Sequence, residues 1–517
     1  MNIAVLAPSP VPFTIGGGEN LVWGLCDTIN KKTSHKAELL KLPSREFSFW
    51  DLIDNYYQFY TLDLSQFDAV IVTKYPAWMV RHKNVIYYLT HRLRGLYDTY
   101  KLLNLPYETE KTNEDINNIL EYMKKNPRPI TLDEFFAKLA KLREKYLNGE
   151  TDSSYFAFPG PFIRLILMYL DNWGMSQNVD AQFFAISETV KNRTEYFPAG
   201  AEVKVVYPPS PAVGANRVRP QSAYIFMVSR LDAPKRIDLL INAMQHVKSD
   251  IKLYIAGTGP AGADLKKLAG DDKRIEFLGF VNDDVVDEYY SNCLAVPYFP
   301  YDEDLGLITI EAMMRRKPVI TTTDAGGPTE FVTNGDTGFV VNPDPQAIAE
   351  KIEYLAQNSK DAGRMGDNAY ERVKNITWDN VIKGLLPDEG TIGKKRKKIT
   401  LTTTYPIYPP LGGGQARIYN LYKNVAKEFD VEVVSSAGSD QEEFVGTIAP
   451  GFNESRVPRS KKTRGAAMGK ILKIHRNSHR RHNNAYPLRQ NAETWRVDEK
   501  SVRQLRFCNY YSSIHVQ

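Results

Sequence analysis

The chain has 517 residues, of which 43% are hydrophobic and 25% charged, a globular composition that is too long for one compact core. No run approaches the ~18 apolar residues of a membrane-spanning helix, and the start MNIAVLAPSP lacks the basic segment of a signal peptide. The net charge of +5 comes from the tail, since residues 451–517 carry 15 Lys and Arg against 4 Asp and Glu while the remainder carries 51 against 57. The basic balance is therefore no reason to expect nucleic acid binding by the main body, and we predict no such partner.

The three cysteines, Cys26, Cys293 and Cys508, are far apart and form no CxxC motif. This sparse spacing is typical of a reducing compartment, where disulfides do not persist. We therefore predict a cytoplasmic location.

The first predicted unit, residues 1–212, is an α/β domain. It opens with the strand MNIAVLAPS, the loop PVPFTIGGG and the helical stretch ENLVWGLCDTINKK, which form the start of a doubly wound sheet. Further strands are predicted at FDAVIVTK, NVIYYLTH and AQFFAISE. Residues 92–178 have helical periodicity and are predicted to be an inserted helical region. Its apolar piece FIRLILMYL favours core packing over contact with a membrane surface.

A second α/β unit, residues 213–390, follows the proline-rich linker KVVYPPSPAVGANRVRP. Its six predicted strands are AYIFMVSRL, IKLYIAGTG, RIEFLGF, CLAVPYF, KPVITTT and TGFVVN. Because these short apolar strands alternate with helical stretches, they predict a mostly parallel sheet covered on both faces. The helical stretch ending in ITWDNVI is predicted to close the unit.

A third segment, residues 394–440, repeats the start of the chain. Ile3 lies 13 residues before Gly16, and Ile399 lies 13 before Gly412, so the offset is 396. At that offset Pro10 aligns with Pro406, and the GGG of TIGGG aligns with that of PLGGG. The similarity ends near Gly438, and residues 441–517 are predicted to be a basic tail that is disordered or translated out of frame.

Two glutamates in EDLGLITIE are candidates for binding hydroxyl groups. Glu303 lies in a loop, and Glu311 lies about one turn inside the helix that follows Gly306. The helix N-terminus between them offers free N–H groups and a partial positive charge to a phosphate. Vicinal hydroxyls with a diphosphate are the features of a nucleotide-sugar, although two glutamates at this spacing also occur in ordinary solvated loops.

Basic and glycine-rich segments lie where doubly wound folds bind ligands. In VSRLDAPKRID, Arg230 ends a strand and Lys235 follows before a helix, so both suit a diphosphate, with a surface ion pair as the alternative. The first glycine turn lets a phosphate approach the backbone, or else is a flexible turn. Gly257, Gly259 and Gly262 match G-x-G-x-x-G, but Glu276 lies inside the next strand rather than at its end, which disfavours a dinucleotide enzyme.

His91 and a run of three acidic residues are two further polar features of the sequence. His91 ends a strand in YYLTHRL, at the sheet edge where the crevice is expected, and is either functional or structural. The adjacent acids Asp302, Glu303 and Asp304 cannot all face one ion and have no His or Cys cluster with them, so no metal site is predicted.

In this order along the chain, the segments resemble the retaining GT-B glycosyltransferases, the large family that includes sucrose synthases and bacterial mannosyl- and glucosyltransferases. The resemblance covers roughly residues 1–385. It rests on GGGEN, the strand-end His91, FFAISETVKNRTEYFPAGAEVKVVYPP, VSRLDAPKRIDLLI, IAGTGP, FLGFVNDDVVDEYYSN, EDLGLITIEAMMRRKPVI, AGGPTEFVTNGDTGFVV and ITWDNVI.

The resemblance implies a fold and a reaction. Two Rossmann-like domains would face each other across a cleft, the first on the acceptor side and the second binding the nucleotide. The protein would transfer a sugar from a UDP- or GDP-sugar to a glycan or lipid-linked acceptor, with no metal and no cofactor. We expect a role in surface polysaccharide or lipopolysaccharide synthesis, with peripheral contact at the inner face of the plasma membrane.

The resemblance also implies residue roles. Arg230 and Lys235 would hold the diphosphate, Glu303 would bind the transferred sugar, and Glu311 the ribose. His91, placed near the sugar, would complete the catalytic set of His91, Arg230, Lys235 and Glu303. The remaining donor contacts implied by the resemblance are Gly17, Gly18, Gly259, Val281, Leu305, Gly306 and Leu307.

One departure and two alternatives remain. Family members often have Pro-Phe after the first glutamate, whereas this chain has Asp304-Leu305, so the loop backbone is expected to differ. The partial repeat allows an inactive relic or scaffold of a tandem fusion as a second function. A NAD-dependent Rossmann enzyme is the third and least favoured.

Overall fold

The computed structural model describes residues 1–12, 16–109, 113–177, 181–210, 224–386, 398–426, 429–438, 444–458 and 514–516. Residues 211–220 of the predicted linker 204–220, the basic segment 387–397 and residues 459–513 of the predicted tail lie outside the described residues.

The first unit is built on a six-stranded parallel sheet in the order β2-β1-β3-β4-β5-β6. Its strands are β1 Asn2–Pro10, β2 Lys36–Ser44, β3 Ala69–Lys74, β4 Val85–His91, β5 Gln182–Ala185 and β6 Val203–Val205. The run Ile3–Leu6 of β1 is fully buried, as expected for a central parallel strand covered on both faces.

Two helices flank the early strands of this sheet. They are α1 Gly17–Lys32 and α2 Phe49–Thr61, and Ser48 caps α2 by accepting a hydrogen bond from the backbone N–H of Asp51. Neither β2 nor α2 was predicted. The reason is that β2 is an edge strand whose polar and apolar residues do not alternate regularly, so its sequence carries only a weak strand signal.

The segment between β4 and β5 is helical, with no strand in its described part. Its longer helices are α3 Glu114–Lys125, α4 Asp133–Leu147 and α5 Pro161–Met175. In α5, Ile163, Ile166 and Leu170 are fully buried, so the apolar piece FIRLILMYL packs in the core as predicted.

The second unit contains two three-stranded parallel sheets, β7-β8-β9 and β10-β11-β12. The strands are β7 Tyr224–Val228, β8 Lys252–Ala256, β9 Ile275–Gly279, β10 Val296–Pro297, β11 Val319–Thr322 and β12 Gly338–Val341. Backbone hydrogen bonds from Phe226 to Ala295 and from Leu294 to Tyr224 join the two sheets. The combined order, β9-β8-β7-β10-β11-β12, is the 3-2-1-4-5-6 order of dinucleotide-binding sheets.

Helices connect successive strands of the second unit, and further helices precede and follow its two sheets. They are α6 Glu188–Lys191 in the first unit and, in the second, α7 Ile237–Met244, α8 Gly262–Ala269, α9 Asp283–Asn292, α10 Leu307–Met314, α11 Pro345–Gln357, α12 Ser359–Val373 and α13 Trp378–Leu385. The last of them differs from the prediction, because α13 packs on α1 of the first unit. A Cβ added to Gly24 would lie 2.1 Å from the Trp378 ring, and Lys32 pairs with Asp379 at 2.6 Å.

The third unit repeats the opening geometry of the first. Strand β13 Lys398–Thr403 pairs in parallel with β14 Asp430–Ala437, and α14 Gly413–Val425 begins at the residue that aligns with Gly17. The predicted boundary at residue 440 is wrong, because β15 Phe444–Ala449 and β16 Phe452–Pro458 continue this sheet, and β17 Ile514–Val516 pairs with β13. In the first unit, α2 follows the second strand, whereas here the hairpin of β15 and β16 follows it. This difference explains why the sequence repeat ends near Gly438.

The first two units face each other through the carboxyl ends of their parallel strands. Arg94, which follows β4, donates to Asp302, which follows β10, at 2.7 Å. Ser187, which follows β5, donates to the backbone oxygen of Asp304 at 2.5 Å. Two Rossmann-like units that meet in this way confirm the predicted GT-B fold class.

Candidate active site

The sheet of the second unit has a topological switch point between β7 and β10. From β7 the chain continues to β8 on one side, and from β10 it continues to β11 on the other. The loops after these two strands therefore diverge and leave a crevice at their carboxyl ends, which is where open α/β sheets bind ligands. Lys235 lies in the loop after β7, and Glu303 in the loop after β10.

The structure brings Lys235 and Glu303 into direct contact. The Lys235 Nζ donates to Glu303 Oε2 at 2.6 Å and lies 3.4 Å from the hydroxyl of Tyr298. The Lys235 side chain is 16% exposed and that of Glu303 is 27% exposed, so the pair is open to the crevice. A ligand that carries both an anion and hydroxyl groups can separate this pair and bind each partner with its complementary group.

Arg230 does not converge on this pair. Its side chain is 79% exposed, and its guanidinium pairs with Asp232 at 2.8 Å. The structure therefore brings together two of the four predicted catalytic residues, Lys235 and Glu303, and places Arg230 at the rim of the same crevice.

The N-terminus of α10 lies between the two predicted glutamates. Its N-cap, Gly306, has a φ of 75° and no side chain, and a Cβ there would lie 2.7 Å from Pro328 Cγ. Glycine is therefore required at this turn, and as the N-cap residue it has no side chain to accept from the first backbone N–H groups of the helix. These N–H groups and the helix dipole favour an anion at this place.

Glu311 lies one turn inside α10 and is held by two hydroxyl groups. Tyr290 donates to Oε2 at 3.1 Å, and Ser210, at the end of the described inter-unit segment, donates to Oε1 at 2.9 Å. Burial and the Glu311 carboxylate raise the pKa of Tyr290 well above its usual range, so Tyr290 stays a donor. Each Glu311 oxygen keeps a lone pair for a further donor such as a ribose hydroxyl.

A cavity of about 360 Å³ lies beside this crevice, at the carboxyl ends of β7, β8 and β9. Its floor depends on glycine: Gly257 has a φ of 125°, and a Cβ on it or on Gly259 would lie 1.9 Å or 2.6 Å from the backbone oxygens of Ser229 and Leu231. The first two glycines of G-x-G-x-x-G thus permit close packing against the loop that follows β7. Val281 follows β9 at the edge of this region. The lining residues are Leu231, Gly257, Thr258, Gly259, Gly262, Ala263, Lys266, Phe277 and Gly279.

The glycine turn of the first unit faces α10 of the second. Gly17 begins α1, and a Cβ on it would lie 2.9 Å from Leu307 Cδ1. The next residue, Gly18, has no atom within 4 Å of an added Cβ, so it borders open space. Leu305, by contrast, is buried, and its backbone packs against Gly327.

His91 ends β4 on the opposite side of the crevice. Its Nδ1 lies 2.8 Å from the carbonyl oxygen of Arg92, so Nδ1 carries the proton and Nε2 is left as an acceptor. Burial, helped by the charge of Lys74, lowers the pKa of His91 to about 4. The imidazole is therefore neutral at physiological pH and can accept a hydrogen bond from a hydroxyl group.

Several residues of this region were not anticipated from the sequence. Tyr298, Tyr290 and Ser210 contact the predicted carboxylates and lysine, and Arg236 fixes the loop after β10 by donating to Phe299, Pro300 and Asp324. Only Tyr298 carried a usable signal, because it directly follows a strand that ends at the switch point.

Within the described ranges, no group of three His, Cys, Asp or Glu side chains is placed to hold a metal ion. The same part of the chain has no helix that meets the length and hydrophobicity needed to span a membrane.

Part of the chain that holds this site matches a known protein family. Residues 214–372 match the family described as Glycosyl transferases group 1. This stretch is similar to a glycosyltransferase group 1 domain. The matched residues include Lys235, Glu303, Glu311 and the glycine-lined cavity, whereas Gly17 and Gly18 of the predicted donor site lie outside them.

Curated glycosyltransferases are similar to part of the chain. An uncharacterized glycosyltransferase of Methanocaldococcus jannaschii is 30% identical over 182 residues, which are 32% of this chain and 44% of that protein. The alpha-D-kanosaminyltransferase of Streptomyces kanamyceticus is 30% identical over 153 residues, 28% of this chain and 39% of that protein. The chain thus spans less than half the length of these relatives.

Among solved structures, HepE of Anabaena in complex with UDP and glucose is 16% identical to the chain. The alignment covers 74% of this chain and 98% of that one, with a TM-score of 0.48.

Proposed function

We propose that the protein is a retaining glycosyltransferase that moves a sugar from a nucleoside-diphosphate sugar, UDP- or GDP-linked, to a glycan or lipid-linked acceptor. The observation that carries the proposal is the Lys235–Glu303 pair at the switch point, next to an uncapped helix N-terminus. One cation for the diphosphate and one carboxylate for the sugar hydroxyls are what a nucleotide-sugar needs at adjacent positions. The group 1 domain supports the same reaction class.

In this proposal the diphosphate occupies the space between Lys235, the start of α10 and the glycine turn at Gly17 and Gly18. Arg230, at the rim, supplies further positive charge when it leaves Asp232. The nucleoside lies over the cavity lined by Gly257 and Gly259, and the ribose hydroxyls bond to Glu311. Glu303 and the neutral His91 bond to hydroxyls of the transferred sugar.

The chemical step breaks the bond between the anomeric carbon and the diphosphate oxygen, whose electron pair leaves with the nucleoside diphosphate. A new bond forms between that carbon and the acceptor oxygen, and the acceptor proton passes to the departing diphosphate. Because the transition state resembles an oxocarbenium ion, stabilising the leaving group lowers the barrier most. Lys235 and the helix N-terminus provide that charge, and we propose that no metal ion takes part.

The proposal is tested by incubating the protein with a panel of UDP- and GDP-sugars and detecting nucleoside diphosphate release and products by mass spectrometry. We expect one donor to be consumed, with the product keeping the anomeric configuration, and we expect EDTA to leave the rate unchanged. Consumption of none of the panel would count against the donor assignment, and a rate abolished by EDTA would count against metal independence.

The proposed approach of the diphosphate to the first glycine turn makes a specific prediction. Gly18→Ala adds a methyl group that meets no atom of the described residues, so folding stability should not fall. If a diphosphate lies there, the methyl group blocks it, and donor affinity should fall about tenfold or more. Gly413→Ala, at the equivalent turn of the third unit and equally free of contacts, is the matched control and should change nothing. Equal donor affinity in both variants would remove Gly18 from the site.

The acceptor follows less directly. One relative is the capsular polysaccharide biosynthesis glycosyltransferase CapM of Staphylococcus aureus, 29% identical over 167 residues. We propose by analogy a cytoplasmic role in surface polysaccharide or lipopolysaccharide synthesis, with peripheral contact at the inner face of the membrane when the acceptor is lipid-linked.

For the third unit, we propose that residues 398–437 correspond to the opening strand, helix and strand of a second GT-B N-terminal domain. The unit has its own core, including Leu401, Val431 and Phe452, and Glu454 closes it by accepting from the backbone of Ile407. A chain that ends after residue 390 should therefore bind the donor as tightly as the full protein, within about threefold. Loss of donor binding on truncation would show instead that the third unit is part of the site.

A further inference from the structure

The loop that carries Glu303 is held from both units of the protein. On its own side, backbone hydrogen bonds join Asp302 to Asp324, and Glu303 to Ala325 and Gly327, at 2.8–2.9 Å. Asp302 has a φ of 46°, a left-handed conformation that a non-glycine residue adopts only when its surroundings impose it. The loop is therefore not a free surface segment, and what holds it decides where the Glu303 carboxylate lies.

From the first unit, one arginine contacts the loop at three points. Arg193 donates through Nε to Asp304 Oδ1 at 3.0 Å, through Nη1 to Asp302 Oδ2 at 2.8 Å, and through Nη2 to the backbone oxygen of Asp302 at 2.9 Å. Its side chain is only 5% exposed, so these charge-assisted bonds are shielded from water. Arg193 thus donates hydrogen bonds to the residues on both sides of Glu303 and not to Glu303 itself.

Arg193 is itself held in place. Asp98 accepts from Arg193 at 2.8 Å, from Arg94 at 2.8 Å and from the Tyr196 hydroxyl at 2.6 Å. Arg94 also reaches across to Asp302 at 2.7 Å. The first unit therefore also holds the guanidinium of Arg193, through Asp98, in addition to the loop of Asp302 and Asp304.

The helix that precedes Arg193 is anchored on the second unit as well. Glu330 accepts from the backbone N–H groups of Glu188 and Thr189 at 2.9 Å and 2.7 Å, which caps the start of α6. Ser187, just before α6, donates to the backbone oxygen of Asp304. Two separate contacts thus fix the distance from α6 to the loop after β10.

We propose that Arg193 is a positioning residue, which holds the loop of Asp302 and Asp304 across the cleft and so sets the place of the Glu303 carboxylate for the sugar. This inference rests on the proposed function, since it takes Glu303 to bind the sugar. It assigns a donor-side role to a residue of the first unit, the unit expected to bind the acceptor. It also gives Asp304, which stands where the family often has proline, a function as the anchor of that loop.

The contact between Arg193 and Asp304, which we call the clamp, should depend on pH. Burial raises the pKa of Asp304 to about 6, against the opposing effect of Arg193 and Arg94, and with Glu303 and Asp98 nearby adding to the rise. Above pH 6 the ionised carboxylate accepts from Arg193. Below pH 6 it is protonated and this ion pair is lost, so sugar recognition should weaken as the pH falls through 6. In Asp304→Asn, which cannot ionise, this step should be absent.

The test compares the affinity of the nucleoside diphosphate with that of the nucleotide-sugar by calorimetry. It also measures the slow hydrolysis of the nucleotide-sugar, in which water takes the place of the acceptor and free sugar is released. In Arg193→Ala we expect the nucleoside diphosphate to bind within threefold of the wild type, while the extra affinity due to the sugar disappears and the release rate falls at least tenfold. Arg193→Lys should recover only part of the rate, because lysine cannot make the forked contacts. Arg143→Ala, which removes an exposed pair with Asp54, is the matched control and should behave as the wild type.

Each outcome decides the inference. The inference would be overturned if Arg193→Ala kept both the sugar increment, which is the extra affinity of the nucleotide-sugar over the nucleoside diphosphate, and the rate of sugar release. An equal loss of affinity for the nucleotide-sugar and the nucleoside diphosphate would also overturn it, because it would indicate a general disturbance of the fold. If Arg193→Ala fails to fold, Asp304→Asn and Ser187→Ala decide in its place, with the same expected loss of the sugar increment at pH 7.5. A wild-type protein that binds the nucleoside diphosphate and sugar donor leaves the proposed function standing even if the clamp fails, whereas a wild type that binds neither overturns both.

Discussion

Lys235→Ala should lower the rate of sugar transfer by about 10²–10³-fold, the cost of removing one preorganised donor that stabilises a developing anion. The reason is geometric, because Lys235 is the cation at the switch point that lies within 2.6 Å of the sugar-binding candidate Glu303. Affinity for the free nucleoside diphosphate should fall together with the rate. Steady-state kinetics with the donor found in the panel, and calorimetry with the corresponding nucleoside diphosphate, measure the two effects.

Two companion variants make this result specific. Glu303→Gln should retain nucleoside diphosphate binding and lose the sugar contribution, since in the proposed function its carboxylate binds the sugar and not the phosphate. Lys252→Ala removes an exposed lysine at the opposite, amino end of β8 and should leave all rates unchanged. A Lys235→Ala protein with wild-type kinetics would show that the diphosphate is held elsewhere, with exposed Arg230 as the next candidate.

The second large effect is expected on stability, at Asp171 in α5. This carboxylate is fully buried and accepts from the Tyr56 hydroxyl, the Trp78 indole N–H and the Tyr97 hydroxyl at 2.6–2.8 Å. The guanidinium of Arg92, 1% exposed, lies 3.7 Å from it. Asp171→Ala leaves that arginine without its counter-charge and three donors without an acceptor, so it should destabilise the first unit by about 3–5 kcal/mol.

Urea unfolding followed by tryptophan fluorescence measures this change, because Trp78 lies in the cluster. Asp171→Asn keeps one acceptor oxygen and the volume of the side chain, and we expect a smaller loss. Asp27→Ala, which removes an exposed helix pair with Lys31, should stay within about 0.5 kcal/mol of the wild type. If Asp171→Ala were as stable as Asp27→Ala, the buried cluster would not be what holds the helical segment on the sheet.

The sequence predicted the parts of the site that depend on strand ends. Lys235 and Glu303 are 68 residues apart, yet both follow apolar strands, and parallel strands bring their carboxyl ends to one edge. The glycine turn before α1 could be predicted for the same reason, since a strand followed by glycines and a helical period is a local signal. His91 also ends a strand, although its role at the crevice stays a prediction.

The sequence could not predict contacts that depend on how two units meet. Arg193 and Asp304 are 111 residues apart, in different sheets, and nothing in either segment indicates the other. The packing of α13 against α1 could not be predicted from the sequence either, because Trp378 and Gly24 lie in ordinary helical patterns that do not indicate their partner. The orientation of Arg230 depends on the rotamer of one exposed side chain, which pairs with the nearby Asp232.

The third unit shows where a repeat stops being informative. The offset of 396 correctly predicted β13, the glycine turn and α14, because these elements are local. Strands β15 and β16 have no counterpart at that offset, and they form an antiparallel hairpin that also adds to β14. A pattern search that ends with the repeat therefore assigns them wrongly to the tail.

In the proposed function, Lys235, Glu303 and the N-terminus of α10 form a nucleotide-sugar site within residues 214–372, which match the group 1 family. Calorimetric titration of the full chain with UDP- and GDP-sugars, repeated on Lys235→Ala, tests it most directly. We predict that one nucleotide-sugar binds the wild type and that its affinity falls at least tenfold in the variant. Binding of none of them, or measurable binding of NAD that depends on Gly257 and Gly259, would contradict the claim.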